Sequence, residues 1–439
     1  MSRVDRRRVE LDVKLAAIEH ELALWFGDTG RGGPLRKHRS QLGRVVETVR
    51  GLLGRVADQV GLIGPDTADT AYEAQENLLE AYRVWEFFRS KFALRYQHGY
   101  REPLAVADEY AWACYRPVLR AARAARPDLV GKEPPLVHLS GAFSPYAHLR
   151  GTLFTVEEPA GALNSKVFQR VVLSLPVPVV GMPWHQVRHL PDFPLLAHEV
   201  GHCVDHDFEL AHDIEDHLYL AVKDLPAARR ADWDRWGSEV FADCFAALAA
   251  GPAYVAALAD FLSSPGPSAE GPSTHPPTDV RLSLTLAALD VIGLTAHADA
   301  LRHDLGPSSE DSPHALDAPA VAAALLGEPH PRLGGQALKD VVTFSPGHQD
   351  DAVAAMTAVL DRRRPRPSEV RTLVAAARLA FDHAPREFTA VQDVVLQRAV
   401  DAIDDGTRAA TDRRHRGLGD REVGAALFDL INEARGAAR

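Results

Sequence analysis

Apolar residues recur at three- and four-residue intervals through the first 125 positions: Leu11, Leu15, Ile18, Leu22 and Trp25, then Leu42, Val45, Val49, Leu52 and Val56, then Leu78, Tyr82, Trp85, Phe88 and Phe92. At 3.6 residues per turn those intervals draw one apolar stripe along a helix, so the segment predicts a bundle of amphipathic helices. The texture changes in the Pro- and Gly-punctuated stretch 127–135. Short runs at 136–139, 152–156 and 171–176 then predict a small sheet. Pro194 opens a helical run, LLAHEVGHCVDHDFELAHD, with no further proline through Leu225. Proline suits a first helical turn because its missing N–H would have no partner there. A second helix is expected over 233–250, containing WGSEVFADCFAALAA, and after the low-complexity SSPGPSAEGPSTHPP another starts at Thr278 and Asp279. The Ala/Leu/Arg/Asp-rich remainder reads as helical, with a linker at 306–319. The expected fold class is α+β and mostly helical. A helical N-terminal domain at 1–126 and a helical C-terminal region at 291–439 flank a core at 127–290 that holds the small sheet.

Composition narrows the function. The chain of 439 residues carries 49 Lys and Arg against 60 Asp and Glu, a net charge of −11. Phosphate-binding surfaces need clustered cations, so no nucleic-acid partner is expected. The basic clusters 6–8, 362–366 and 413–416 have acidic neighbours and read as solvated surface. Three cysteines cannot build a disulfide framework, which points to free thiols in a reducing compartment, the cytoplasm. The N-terminal charges run directly into an amphipathic pattern, so no secretory signal is expected. The most apolar stretches, 171–184 and 246–262, are broken by Pro176, Pro178 and Pro183 and by Gly251, Pro252 and Asp260, so no membrane span is expected.

One segment carries chemistry: His198-Glu199-Val200-Gly201-His202. Positions 198 and 202 share a helix face, so both imidazoles can bind one zinc ion while the Glu199 carboxylate flanks it and takes a proton from water. With 20 His and 24 Glu in 439 residues, chance supplies about 0.05 such matches. Leu195, Leu196, Val200 and Cys203 give that helix an apolar face for anchoring. A catalytic zinc takes three protein ligands and keeps one position open. Position 208 is Phe, which removes the metzincin spacing. Glu239 and Asp243 stand four apart on the next predicted helix, so one can reach the metal while the other accepts the second N–H of a ligand histidine. Asp205, His206 and Asp213 are rivals for the third position, but they follow on the same helix, too close along it to meet the metal easily.

An H-E-x-x-H followed by E-x-x-x-D on a second helix resembles the gluzincin zinc peptidases. The sequence is most similar to the compact minigluzincin branch, which includes the CAAX-prenyl-protease and heat-shock membrane proteases. That branch also tends to carry a later Ser/Thr-His-Pro segment followed by Arg. Here Ser273-Thr274-His275-Pro276-Pro277 precedes Arg281. The resemblance covers about 171–286, and the chain departs from the membrane members in lacking spanning helices. It implies a zincin-like metallopeptidase core, Zn2+ as cofactor and a peptide or protein substrate. His198, His202 and Glu239 would be ligands, Glu199 the general base and Asp243 the group that orients a ligand. His275 would help to stabilise an oxyanion near the metal, and Arg281 would organise its loop or bind substrate. The strand at 171–176 would be the edge strand that pairs with an extended peptide.

Two other readings stand beside this one. A non-peptide amide hydrolase of deformylase type would place a Cys just upstream of the motif, whereas Cys114 lies 84 residues before His198. An interaction scaffold with a structural or regulatory zinc, meeting a regulatory partner through its helical flanks, would have no use for Glu199. Cys203, Cys244 and Cys114 fall on apolar helix faces and read as packed thiols. No phosphate-binding glycine loop and no G-x-S-x-G occurs.

Overall fold

The computed structural model of the chain describes residues 1–64, 68–127, 129, 132–150, 176–263, 274–306, 312–366, 368–403 and 416–436. The strand expected at 152–156, all of the 171–176 run except Pro176, and Ser273 lie outside them. The architecture is mostly helical α+β, as the periodicity predicts.

The N-terminal stripes become α1 (Arg3–Gly27), α2 (Arg39–Gly61), α3 (Ala68–Ala93) and α4 (His98–Ala125). Leu11, Ile18 and Leu22 of α1 bury against Val45, Val49, Leu52 and Val56 of α2 and Leu78, Trp85, Phe88 and Phe92 of α3. The same core receives Leu427 and Ile431 from the last helix, Arg416–Gly436, which lies along α2. Arg421 pairs with Glu47 at 2.6 Å and Arg55 with Asp429 at 2.9 Å along that crossing. By contrast, α4 contributes Tyr110, Cys114, Tyr115 and Val118 to the larger central core.

The sheet has strands β1 (Leu136–Ser140), β2 (Tyr146–His148) and β3 (Val179–Pro183) in the order β1-β3-β2. β1 runs parallel to β3, with Leu136 opposite Val179, and β2 runs antiparallel to it, with Ala147 opposite Val180. β3 is buried throughout because both its neighbours and a helix cover it. Among the described residues, the strand nearest in sequence to the motif helix is therefore the middle one, and β1 and β2 lie at the edges.

Five helices follow: α5 (Leu196–Phe208), α6 (Ala211–Val222), α7 (Ala227–Ala250), α8 (Pro252–Ser263) and α9 (Thr278–Val291). The single helix expected from Pro194 onward stops at Phe208. Glu209 adopts left-handed geometry (φ 60°, ψ 45°), and the Leu210 N–H turns back to the Asp205 carbonyl at 2.9 Å. That turn satisfies carbonyls otherwise orphaned at the helix end and lets Leu210 bury, which outweighs the uncommon backbone angle. Pro194 itself sits in a 3-10 turn, Leu190–Leu195, that leads into α5. The linker expected at 306–319 is also shorter. Helix α11 (Pro313–Gly327), after α10 (Thr295–Leu305), already buries Ala318, Val321 and Ala322. Further helices run to Asp401. Among the described residues no helix is long and apolar enough to cross a membrane.

Candidate metal centre

The centre forms where α5 crosses α7. A Cβ on Gly201 would come within 2.9 Å of Ala242 Cα, so glycine is what lets the two backbones approach. Leu196, Ala197, Val200, Cys203 and Val204 seat the other sides of α5 in the core. Ala242 lies between Glu239 and Asp243, and the close crossing brings both carboxylates to the histidine pair.

His198 Nε2 lies 3.2 Å from His202 Nε2 and 3.2 Å from Glu239 Oε2, and His202 Nε2 lies 3.7 Å from Glu239 Oε1. Among the described residues these three form the group whose ligand atoms all fall within 4.8 Å of one another. Zinc bonds of 2.0–2.1 Å at tetrahedral angles place ligand atoms about 3.3 Å apart. The donor set therefore fits a metal ion. It fits in tautomer as well: His198 Nδ1 is 2.8 Å from Asp243 Oδ1 and His202 Nδ1 is 3.2 Å from Ser238 Oγ. With both Nδ1 atoms engaged elsewhere, each Nε2 turns toward the shared point.

Behind the ligands Asp243 is completely buried. Arg281 forks onto it, Nε to Oδ2 and Nη2 to Oδ1, both at 2.7 Å, and Tyr254 donates its hydroxyl to Oδ1 at 2.6 Å. Burial pushes the Asp243 carboxyl up, but Arg281 and His198 overcome it and hold the group well below the usual carboxylate range. Burial likewise pulls His198 down, yet its bonds and charge contacts with Asp243 and Glu239 prevail and raise it to about 9. For His202 burial and the neighbouring His198 charge outweigh the pull of Glu239 and Asp243 and lower it to about 4. For Glu239 burial is again the largest influence, outweighed by His198, His202 and His275, which bring it to about 2. Glu199 is raised to about 7 by burial, with no hydrogen bond among the causes.

All seven residues singled out in the sequence thus lie in one neighbourhood, in different positions. His275 is half-exposed, with Nε2 3.3 Å from Glu239 Oε2 and Thr274 Oγ1 3.3 Å from its Nδ1. Arg281 is buried, and its guanidinium is engaged with Asp243. Two further residues escaped the sequence reading. Ser238 directly precedes Glu239, a position from which a hydroxyl on the same helix can reach the second histidine. Tyr254 arrives only because Gly251, at φ +60°, turns the chain from α7 into α8. The three cysteines are buried free thiols, and burial pushes Cys114 up to about 12.

Compared with known proteins, the chain matches no family model, no curated protein and no solved structure.

Proposed function

We propose that the protein is a zinc-dependent endopeptidase of gluzincin type that hydrolyses peptide bonds in a peptide or protein substrate. The observation that carries this reading is the convergence of His198, His202 and Glu239, with Glu199 one residue along the same helix and not part of the ligand group. A closed structural site would fill its positions with Cys or His, and none of the three cysteines belongs to this group. Bound zinc would supply a Lewis acid that lowers the pKa of water and polarises a carbonyl.

The chain's own residues do the rest. His198 and His202 would hold the ion through Nε2 and Glu239 through its carboxylate. Asp243 keeps the His198 Nδ1 proton in place, and Ser238 does the same for His202. The Glu199 carboxylate accepts a proton from the attacking water and passes it to the departing amine. His275, whose Nε2 lies 3.3 Å from Glu239 Oε2, would donate from its ring to the oxygen that gains charge. Buried free thiols are in keeping with a reducing compartment such as the cytoplasm.

Metal analysis of wild type and Glu199→Gln, with digestion of an unstructured protein, tests the proposal. Both proteins should hold about one zinc, and only wild type should cleave. Zinc in both with cleavage in neither overturns the peptidase reading in favour of a scaffold. Wild type purified without chelator and devoid of zinc overturns the metal reading itself.

A further inference from the structure

We infer that Tyr254 is a positioning residue for the metal ligand His198, acting through Asp243; the inference rests on the metal reading above. Tyr254 is wholly buried on α8, and its oxygen lies 3.3 Å from His198 Nδ1 while its proton is given to Asp243 Oδ1. Asp243 therefore takes four donors: Tyr254 O–H, His198 Nδ1–H and the two guanidinium N–H groups of Arg281. Three of these meet Oδ1 and the Arg281 Nε–H meets Oδ2, so the two lone pairs of Oδ1 are fully engaged and the carboxylate is held through both oxygens.

With its proton committed to Asp243, the Tyr254 oxygen presents only lone pairs to His198. A ring nitrogen met by two acceptors carries the hydrogen, which leaves Nε2 as the lone pair facing His202 and Glu239. Asp243 alone would select that tautomer. Tyr254 adds direction, because its oxygen touches both Asp243 Oδ1 and His198 Nδ1, and removing the hydroxyl takes away one side of that hold and frees the ring to tilt away from the ligand point.

The molecule contains a control for this inference. Tyr115 donates its hydroxyl to Asp207 Oδ2 at 2.7 Å, and Arg150 Nε donates to Asp207 Oδ1 at 2.8 Å. This is the same trio of residue types around a buried Asp on the α5 helix that carries the histidines, but among the described residues no imidazole is bonded to Asp207.

Tyr254→Phe and Tyr115→Phe, made in the full chain, each delete one hydroxyl from a buried Asp. The readouts are zinc affinity by chelator competition and the visible spectrum of the Co2+-substituted protein, which loss of packing elsewhere would not move. Tyr254→Phe should bind zinc roughly 10- to 100-fold more weakly and shift the cobalt spectrum. Tyr115→Phe should leave both as in wild type. Wild-type affinity and spectrum in Tyr254→Phe overturn the inference while the metal centre stands, whereas wild type without zinc removes the metal reading and the inference together. If Tyr254→Phe does not fold, the zinc-loaded wild type decides: a slowly exchanging His198 Nδ1 proton with a cross-peak to Tyr254 supports the inference, and its absence overturns it.

Discussion

Two buried aspartates on crossing helices are clamped in nearly the same way, and they serve different ends. Asp207 on α5 holds Tyr115 and Arg150, and Arg150 goes on to the backbone carbonyls of Pro176 and Glu133, so this clamp ties loops to a helix. Asp243 on α7 holds Tyr254 and Arg281, and its remaining donor is a histidine ring whose other nitrogen faces the candidate metal position. Where each chain of bonds ends would therefore separate a brace, at Asp207, from a device that tunes a bound metal, at Asp243. In both cases a buried carboxylate is tolerable because a guanidinium and a hydroxyl satisfy it.

The sharpest way to break the comparison is to remove each carboxylate. Asp243→Ala and Asp207→Ala both leave a buried Arg without its counter-charge, and each should cost about 3–5 kcal/mol in denaturant unfolding. Only Asp243→Ala should also weaken zinc binding, and by less than Glu239→Ala, which deletes a ligand outright. Equal zinc loss in the two Asp variants would erase the difference between the two clamps.

A pH series on chelated protein probes the next largest effect. The His198 value in the folded chain, about 9, lies above its ordinary 6.5, so the stability it contributes is fully present below pH 6.5 and fades as pH rises through 9. The loss should total about 3 kcal/mol across that window. His198→Gln should abolish it, whereas Tyr115→Phe should retain it, since the Asp207 clamp contains no imidazole.

Gly201→Ala forces α5 and α7 apart where Gly201 meets Ala242. A destabilisation of about 1–3 kcal/mol should accompany weaker zinc binding, read by thermal unfolding and chelator competition. The smallest effect belongs to Tyr115→Phe. Asp207 keeps Arg150, so one lost hydrogen bond should cost about 1 kcal/mol with metal affinity unchanged.

What the sequence could and could not reveal follows from the same physics. The helices of the N-terminal bundle were legible because Leu11, Ile18 and Leu22, or Val45, Val49, Leu52 and Val56, repeat with the helical period and bury as that period requires. Four-residue spacing made it legible that His198 shares a face with His202 and Glu239 with Asp243, whereas the meeting of the two faces depends on the close crossing of Gly201 and Ala242. The break at Glu209 was not, since a glutamate carries no mark of left-handed backbone and only the burial of Leu210 decides it. Nor was the helical start at Pro313, where proline and neighbouring polar residues looked like linker. Tyr254 and Arg281 meet Asp243 across 11 and 38 residues of chain, contacts that exist only once the turn at Gly251 and the packing of α9 are in place. Arg281 was singled out by its place after the His-Pro segment, which said nothing of its burial against Asp243.

The helix Arg416–Gly436 lies along α2, and the Arg55 and Asp429 pair that joins them is separated by 374 residues of sequence. At about 5–20 residues per second, synthesis reaches that partner roughly 20–75 s after Arg55 has been made. For that interval the side of α2 that receives Leu427 and Ile431 has no native cover. The N-terminal bundle must therefore wait, exposed or shielded by a chaperone, for nearly the whole of translation.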